Sequence, residues 1–268
     1  MKTKIILALI GSALLPTAQY ATGQTTIFFD NFDGYADQAA FAAAWNVGLS
    51  GGGATLSTAQ SFSSPQSILQ PASSTGYASG HDITPTSGLN TAPLTWSFEF
   101  YDTTQAANLR QFATIRDNSP ALAQLVAIGA YSDTTLTKNP YTGLSVTAAD
   151  LNTYYAARIA FAPGPNWFIL NGPGAPTRTT GWHELKAVFF DTTVEFYIDG
   201  VNALTGLTMS YAASAGAITF DRVTVGSGLG SANGAGYYDN VLVQIPEPSA
   251  IALLSVGGLA LLAIKRRK

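Results

Sequence analysis

Carboxylates and histidines are the side chains of this chain that could carry catalysis, since it contains no cysteine. The glutamates are Glu99, Glu184, Glu195 and Glu247, and the histidines are His81 and His183. Retaining glycoside hydrolysis needs two carboxyl groups about 5–5.5 Å apart. On one strand that means alternate positions, because successive side chains point to opposite faces. Glu99 has Asp102 three residues on, which puts the two on opposite faces, and no Glu-x-Asp-x-x-Glu pattern occurs. His183 opens an apolar alternation and reads as a packing residue. Nothing marks a nucleophile elbow for serine chemistry. The expectation is a protein without catalytic residues.

Binding chemistry has more candidates. Ca²⁺ takes six to eight hard oxygens. Asp30, Asn31 and Asp33 near one end of the central region, with Asp239 and Asn240 near the other, could supply them if those segments pair. The same residue types also make turns and cap strand ends without any ion. Sugars stack on exposed aromatic rings, for which Tyr101, Tyr131, Tyr141, Tyr155, Tyr197, Tyr237, Tyr238 and Trp167 are available. A two-layer β fold uses aromatics for its core as well. Gly51 to Gly53 and the glycine-rich run from Gly226 to Gly236 lack a strand-to-helix context, so they are loops and not phosphate cradles.

Charge sets limits on partners. Six of the 13 cations lie at the two ends of the chain: Lys2, Lys4, Lys265, Arg266, Arg267 and Lys268. The other seven face all 16 carboxylates, a balance of −9. So acidic a region is a poor match for nucleic acid. With no disulfides to form, stability must come from burial or from a bound cation.

These residues need elements to hold them, and the pattern is that of strands. Leu94, Trp96, Phe98 and Phe100 share one face of a strand, and Thr95, Ser97, Glu99 and Tyr101 the other. Arg110 to Ile115 and Leu122 to Tyr131 form a pair across Asp117-Asn118-Ser119-Pro120. Tyr154 to Phe161 and Asn166 to Leu170 follow. The strongest hairpin runs from Gly181 to Gly200, with Asp191-Thr192-Thr193 at its turn and Asp199-Gly200 as a second turn signal. Ile27 to Phe29, Gln66 to Gln70, Ile218 to Val225 and Tyr237 to Val243 are further strands, and His81 to Pro93 reads as loop. Asp37 to Trp45 is the one helical candidate, with Phe41 and Trp45 on one face. Many short strands separated by turns predict an all-β sandwich of two antiparallel sheets.

The two ends read differently. Met1 to Gly23 has a basic start, an apolar run from Ile5 to Leu15 and small residues before Gln24, the three regions of a secretory signal peptide. Residues 24–244 form one domain on size grounds. At the other end, Ile245-Pro246-Glu247-Pro248-Ser249 precedes an uncharged run from Ala250 to Ile264 and four terminal cations. That run is 15 residues long, or 17 with Pro248 and Ser249, which is the lower edge of a membrane span. The arrangement resembles the PEP-CTERM sorting segment of bacterial exported proteins. The resemblance implies that Pro246, Glu247 and Pro248 are recognised by a membrane transpeptidase, the exosortase, after signal peptidase has acted. It implies passage through the inner membrane to the cell surface or the extracellular space, and association with exopolysaccharide.

A second resemblance covers most of Thr26 to Val243. Gly181-Trp182-His183-Glu184-Leu185 followed by Val194-Glu195-Phe196-Tyr197-Ile198-Asp199-Gly200 looks like the laminin-G-like or concanavalin A-like jelly roll. Phe29 to Asp33 and Tyr237 to Val241 resemble its first and last strands. The resemblance implies two packed antiparallel sheets, one concave, with those terminal strands paired, and a region where related carbohydrate-binding domains hold a structural Ca²⁺. The combined expectation is an exported, non-catalytic jelly roll that associates with polysaccharide. The alternatives are an adhesive matrix protein without a small ligand, and a polysaccharide hydrolase.

Overall fold

The structure, a computed structural model, describes residues 24–87, 93–103, 106–117, 124–132, 137–160, 167–208 and 219–246. Residues 1–23, read above as a signal peptide, Glu247, Pro248 and the apolar tail lie outside them. No helix among the described residues is long and apolar enough to cross a membrane.

In chain order the elements are β1 (Gln24–Asp30), α1 (Gln38–Ala44), β2 (Val47–Ser50), β3 (Thr55–Ser57), β4 (Ser67–Gln70), β5 (Tyr77–Thr86), β6 (Leu94–Asp102), β7 (Arg110–Asp117) and β8 (Gln124–Tyr131). They continue with α2 (Asp150–Thr153), β9 (Ala156–Ile159), β10 (Trp167–Ile169), β11 (Gly181–Phe189), β12 (Thr193–Ile198), β13 (Val201–Thr208), β14 (Phe220–Ser227) and β15 (Gly236–Pro246). The strands form two antiparallel sheets. The first runs β13-β12-β11-β6-β15-β4-β3, with β1 also paired to β15, and the second runs β10-β9-β8-β7-β14-β5-β2. The chain passes repeatedly between layers, so β14 lies between β5 and β7 while β15 lies between β6 and the pair β4 and β1.

Alternation explains the core. Trp96, Phe98 and Phe100 of β6, Leu185, Ala187 and Phe189 of β11, and Val194, Phe196 and Ile198 of β12 are all buried. They meet Ala113, Ile115, Val126, Ile128, Val223 and Val225 from the second sheet in one continuous cluster. The turn after β12 uses backbone with positive φ at Asp199 (49°) and Gly200 (74°), the conformation that tight hairpin turns demand. α1 starts where Asp37 accepts the Ala40 N–H, a standard N-cap, and it buries Phe41 and, just beyond its end, Trp45. A buried ion pair ties the segment before β11 to β6: Arg178 donates to both carboxylate oxygens of Asp102 at 2.8 and 2.9 Å.

β2, β3 and α2 are absent from the sequence expectation, and two further elements differ from it. The stretch from His81 on, read as loop, is strand as far as Thr86 because β5 pairs with β14 and β2. Its residues, His81-Asp82-Ile83-Thr84-Pro85-Thr86, lack apolar alternation, and just before them the strand is built for close approach: a Cβ at Gly80 would stand 2.6 Å from the Val47 carbonyl oxygen. β13, which no sequence pattern marked, extends the β11–β12 hairpin into a meander.

Candidate functional site

The outward face of the second sheet carries a groove of about 280 Å³. Strand register places its residues in two rows. In one, Trp167, Arg158, Ala127, Thr114 and Thr224 lie opposite one another across five strands. In the next, Leu125, Arg116, Arg222 and Asp82 do the same. Neighbouring strands are about 4.8 Å apart and the rows about 7 Å apart. Small side chains at Ala127, Thr114 and Thr224 leave room between taller arginines and aromatics. Arg116 donates Nε–H to the Thr114 hydroxyl at 2.9 Å, and the Thr114 and Thr224 hydroxyls are bonded to each other. Arg222 pairs with the exposed Asp82 at 2.6 Å. Burial, with the positive charges of Arg222 and Arg158 next, lowers the pKa of the Arg116 guanidinium.

One end of the groove is apolar. Trp167 stacks on Tyr131 with ring centroids 4.0 Å apart and planes at 5°, and Phe112 lies 4.7 Å from Trp167. Val146, Leu151 and Tyr154 pack over this cluster, so Trp167 is only 7 % exposed. Arginine forks, threonine hydroxyls and an aromatic end wall suit a polar, hydroxylated or anionic ligand. A second hollow of about 420 Å³, bordered by Thr142, Leu144 and Asn202, has no charged or aromatic side chain in its lining.

The outward face of the first sheet brings carboxylates together. Glu184, Glu99 and Asp239 lie directly opposite one another on β11, β6 and β15. Trp182, Tyr101 and Tyr237 form the adjacent row, with ring centroids 5.4 and 6.0 Å apart in edge-to-face contacts. Burial, then the negative charges of Glu184, Asp199 and Asp239, push the Glu99 carboxyl up to about 7, partly offset by His183. Glu184 is bridged by Lys186 at 3.1 Å. Asp239 accepts from the Phe62 and Ser63 N–H groups at 2.9 and 3.0 Å and from the Ser63 hydroxyl at 3.1 Å, and Phe62 rests on Trp182.

The residues proposed for Ca²⁺ sit around the same loop. β1 and β15 do pair, with Asp30 opposite Val241. Asp30 accepts from Phe32 N–H, the Tyr35 hydroxyl and Trp45 Nε1–H. Asp33 accepts from Gln66 N–H and Asn31 Nδ2–H, and Asn240 Oδ1 from the Ser63 hydroxyl. Among the described residues no group of three acidic or histidine side chains is arranged around a metal position. His81 packs against Phe28 and Trp45, and His183 spans Asp199 and the Thr179 carbonyl. Tyr155 and Tyr238 are core residues. Tyr141 packs edge-on to Phe168, its phenol pushed up to about 12 by burial, and Tyr197 donates to Glu195. Pro246 ends β15.

The arginines of the groove were not singled out from the sequence. The alternation of β7 puts Arg110, Phe112, Thr114 and Arg116 on one face, which was a readable signal. That Arg158 and Arg222 join them depends on register between strands far apart in the chain. Similarly, Glu99 and Asp102 do face opposite ways, yet Glu99 meets carboxylates from other strands.

No protein-family model and no curated protein matches this chain. Solved structures do. The globular domain of T. cruzi calreticulin is similar with a TM-score of 0.53 and 9 % identity, over 82 % of this chain and 88 % of that one. A carbohydrate esterase of the Shiga toxin-encoding bacteriophage phi24B is similar with a TM-score of 0.51 and 15 % identity, over 84 % of this chain and 100 % of that one. These likenesses are of fold, a jelly-roll sandwich of two antiparallel sheets.

Proposed function

We propose that this protein is a non-catalytic polysaccharide-binding sandwich, exported and sorted through its terminal segments. The observation that carries the reading is the groove of the second sheet, where a floor of small side chains lies between arginines and Trp167. A sugar chain offers hydroxyls for such donors and an apolar ring face for the aromatic end. The similar structures support the architecture and leave the ligand to the groove. Electrophoresis of the purified chain through gels containing plant, algal and bacterial polysaccharides tests it. Retardation is expected in at least one, without release of reducing ends. Trp167→Leu should weaken that binding about tenfold, roughly 1.4 kcal/mol, with an unchanged circular-dichroism spectrum. No retardation in any gel would end the reading.

Residues 245–268 support the export part, since Pro246-Glu247-Pro248 precedes an uncharged run and four cations. The mass of the mature protein from its native cell is expected to lack both ends, through signal peptidase and an exosortase. An intact mass would remove this part alone. The row Glu184, Glu99, Asp239 favours a second reading, glycoside hydrolysis with Glu99 as acid. New reducing ends, abolished by Glu99→Gln, would replace the first reading with it.

A further inference from the structure

We infer that the groove of the second sheet selects polysaccharides built from uronic acids, with Arg116 and Arg222 closing on one sugar carboxylate and Arg158 meeting another. The inference rests on the polysaccharide-binding reading above and adds the chemical class of the sugar.

Charge distribution is the first argument. Residues 24–246 hold seven cations in an acidic region, and three of them line this groove. Two of the others serve internal pairs, Arg178 with Asp102 and Lys186 with Glu184. Register is the second. Arg116 and Arg222 are directly opposite each other on β7 and β14, and like charges so placed destabilise a sheet. The carboxylate that Arg222 does have, Asp82, lies on its far side from Arg116 and is exposed. An anion between the two guanidinium groups would relieve their repulsion. Local rules of this kind are broken most often where a ligand binds.

The kind of anion follows from shape and from the rest of the molecule. A guanidinium fork matches a planar carboxylate with two parallel hydrogen bonds. The low floor at Ala127 and Thr224 leaves room beside the arginines for the sugar rings. A nucleic acid would bring a dense row of phosphates toward an acidic protein. A uronate chain carries its charge one carboxylate per ring, spaced along a hydroxylated polymer.

Isothermal titration of the full-length chain tests this with polygalacturonate, the same polymer after chemical reduction of its carboxyl groups, sulfated dextran and a single-stranded oligonucleotide. Polygalacturonate is expected to bind at least about tenfold more tightly than its reduced form, tenfold being about 1.4 kcal/mol. Arg116→Gln and Arg222→Gln should each weaken it by a similar factor, and Asp82→Asn should tighten it. The melting temperature of Arg116→Gln should not fall, because the substitution removes a like-charge contact; a large fall would give Arg116 a structural role and overturn the assignment. Equal affinity for the reduced polymer overturns the inference and leaves polysaccharide binding standing. Equal or tighter binding of sulfated dextran or oligonucleotide overturns the carboxylate assignment. Binding of none of the four, with no neutral polysaccharide bound either, removes the reading beneath it.

Discussion

Glu99 is a carboxylate whose neighbours oppose its charge. Its folded-state pKa of about 7 lies above the ordinary value of 4.5. The folded protein therefore holds that proton more tightly than the unfolded chain, and stability falls as pH rises from about 4.5 to about 7. Glu99→Gln is expected to raise stability above pH 7 by on the order of 1 kcal/mol, after screening by solvent, and to change nothing at pH 4. Urea titrations of both proteins at the two pH values check this; a difference that persists at pH 4 would locate the effect in packing. At this scale the sequence was half legible. Alternation along β6 put Glu99 outward and its buried neighbours inward, as found. It could not show that Glu184 and Asp239 would face Glu99, because the residue opposite is chosen by the pairing of strands.

Elements with large alternating side chains could be read directly, and elements built for close approach could not. β6, β11 and β12 repeat apolar and polar residues, and they appear where expected. β5 carries Ala78, Ser79 and Gly80 near its start, small residues that suit a strand flanked on both sides and resemble a loop in composition. The segment between β3 and β4 is anchored at Phe62 and Ser63 by Asp239, with further bonds to Asp33 and Asn240. Asp239 is fully buried and accepts the Phe62 and Ser63 N–H groups and the Ser63 hydroxyl. The positive φ of Asn240, 46°, bends β15 there, a conformation Asn tolerates. Asp239→Ala would leave the Phe62 and Ser63 N–H groups without their acceptor, at about 1–3 kcal/mol for a buried group. Hydrogen exchange at the Phe62 and Ser63 amides is expected to accelerate while that of the β6 amides stays slow. Equal acceleration in β6 would mean that the loop and the sheet open together.

Residues 24–246 are acidic outside one arginine-lined groove, and salt should therefore act on the molecule in two directions. Screening relieves repulsion among the excess carboxylates, so the melting temperature should rise by a few degrees between 10 and about 300 mM salt. Over the same range, binding of an anionic polymer to the three arginines should weaken several-fold. Parallel responses in both measurements would contradict this separation of charge. The sandwich was legible at this scale because turn signals recur along the chain; the order of strands was not, since it is fixed by contacts between distant segments. That order has a consequence for how the protein is made. β15, the last of the described strands, lies inside the first sheet and bonds to β1, β4 and β6. As the polypeptide emerges from its N-terminal end, the early strands must wait with their central seat empty. The layer can be sealed only after β15 has been released, so the sheet around it stays open until then.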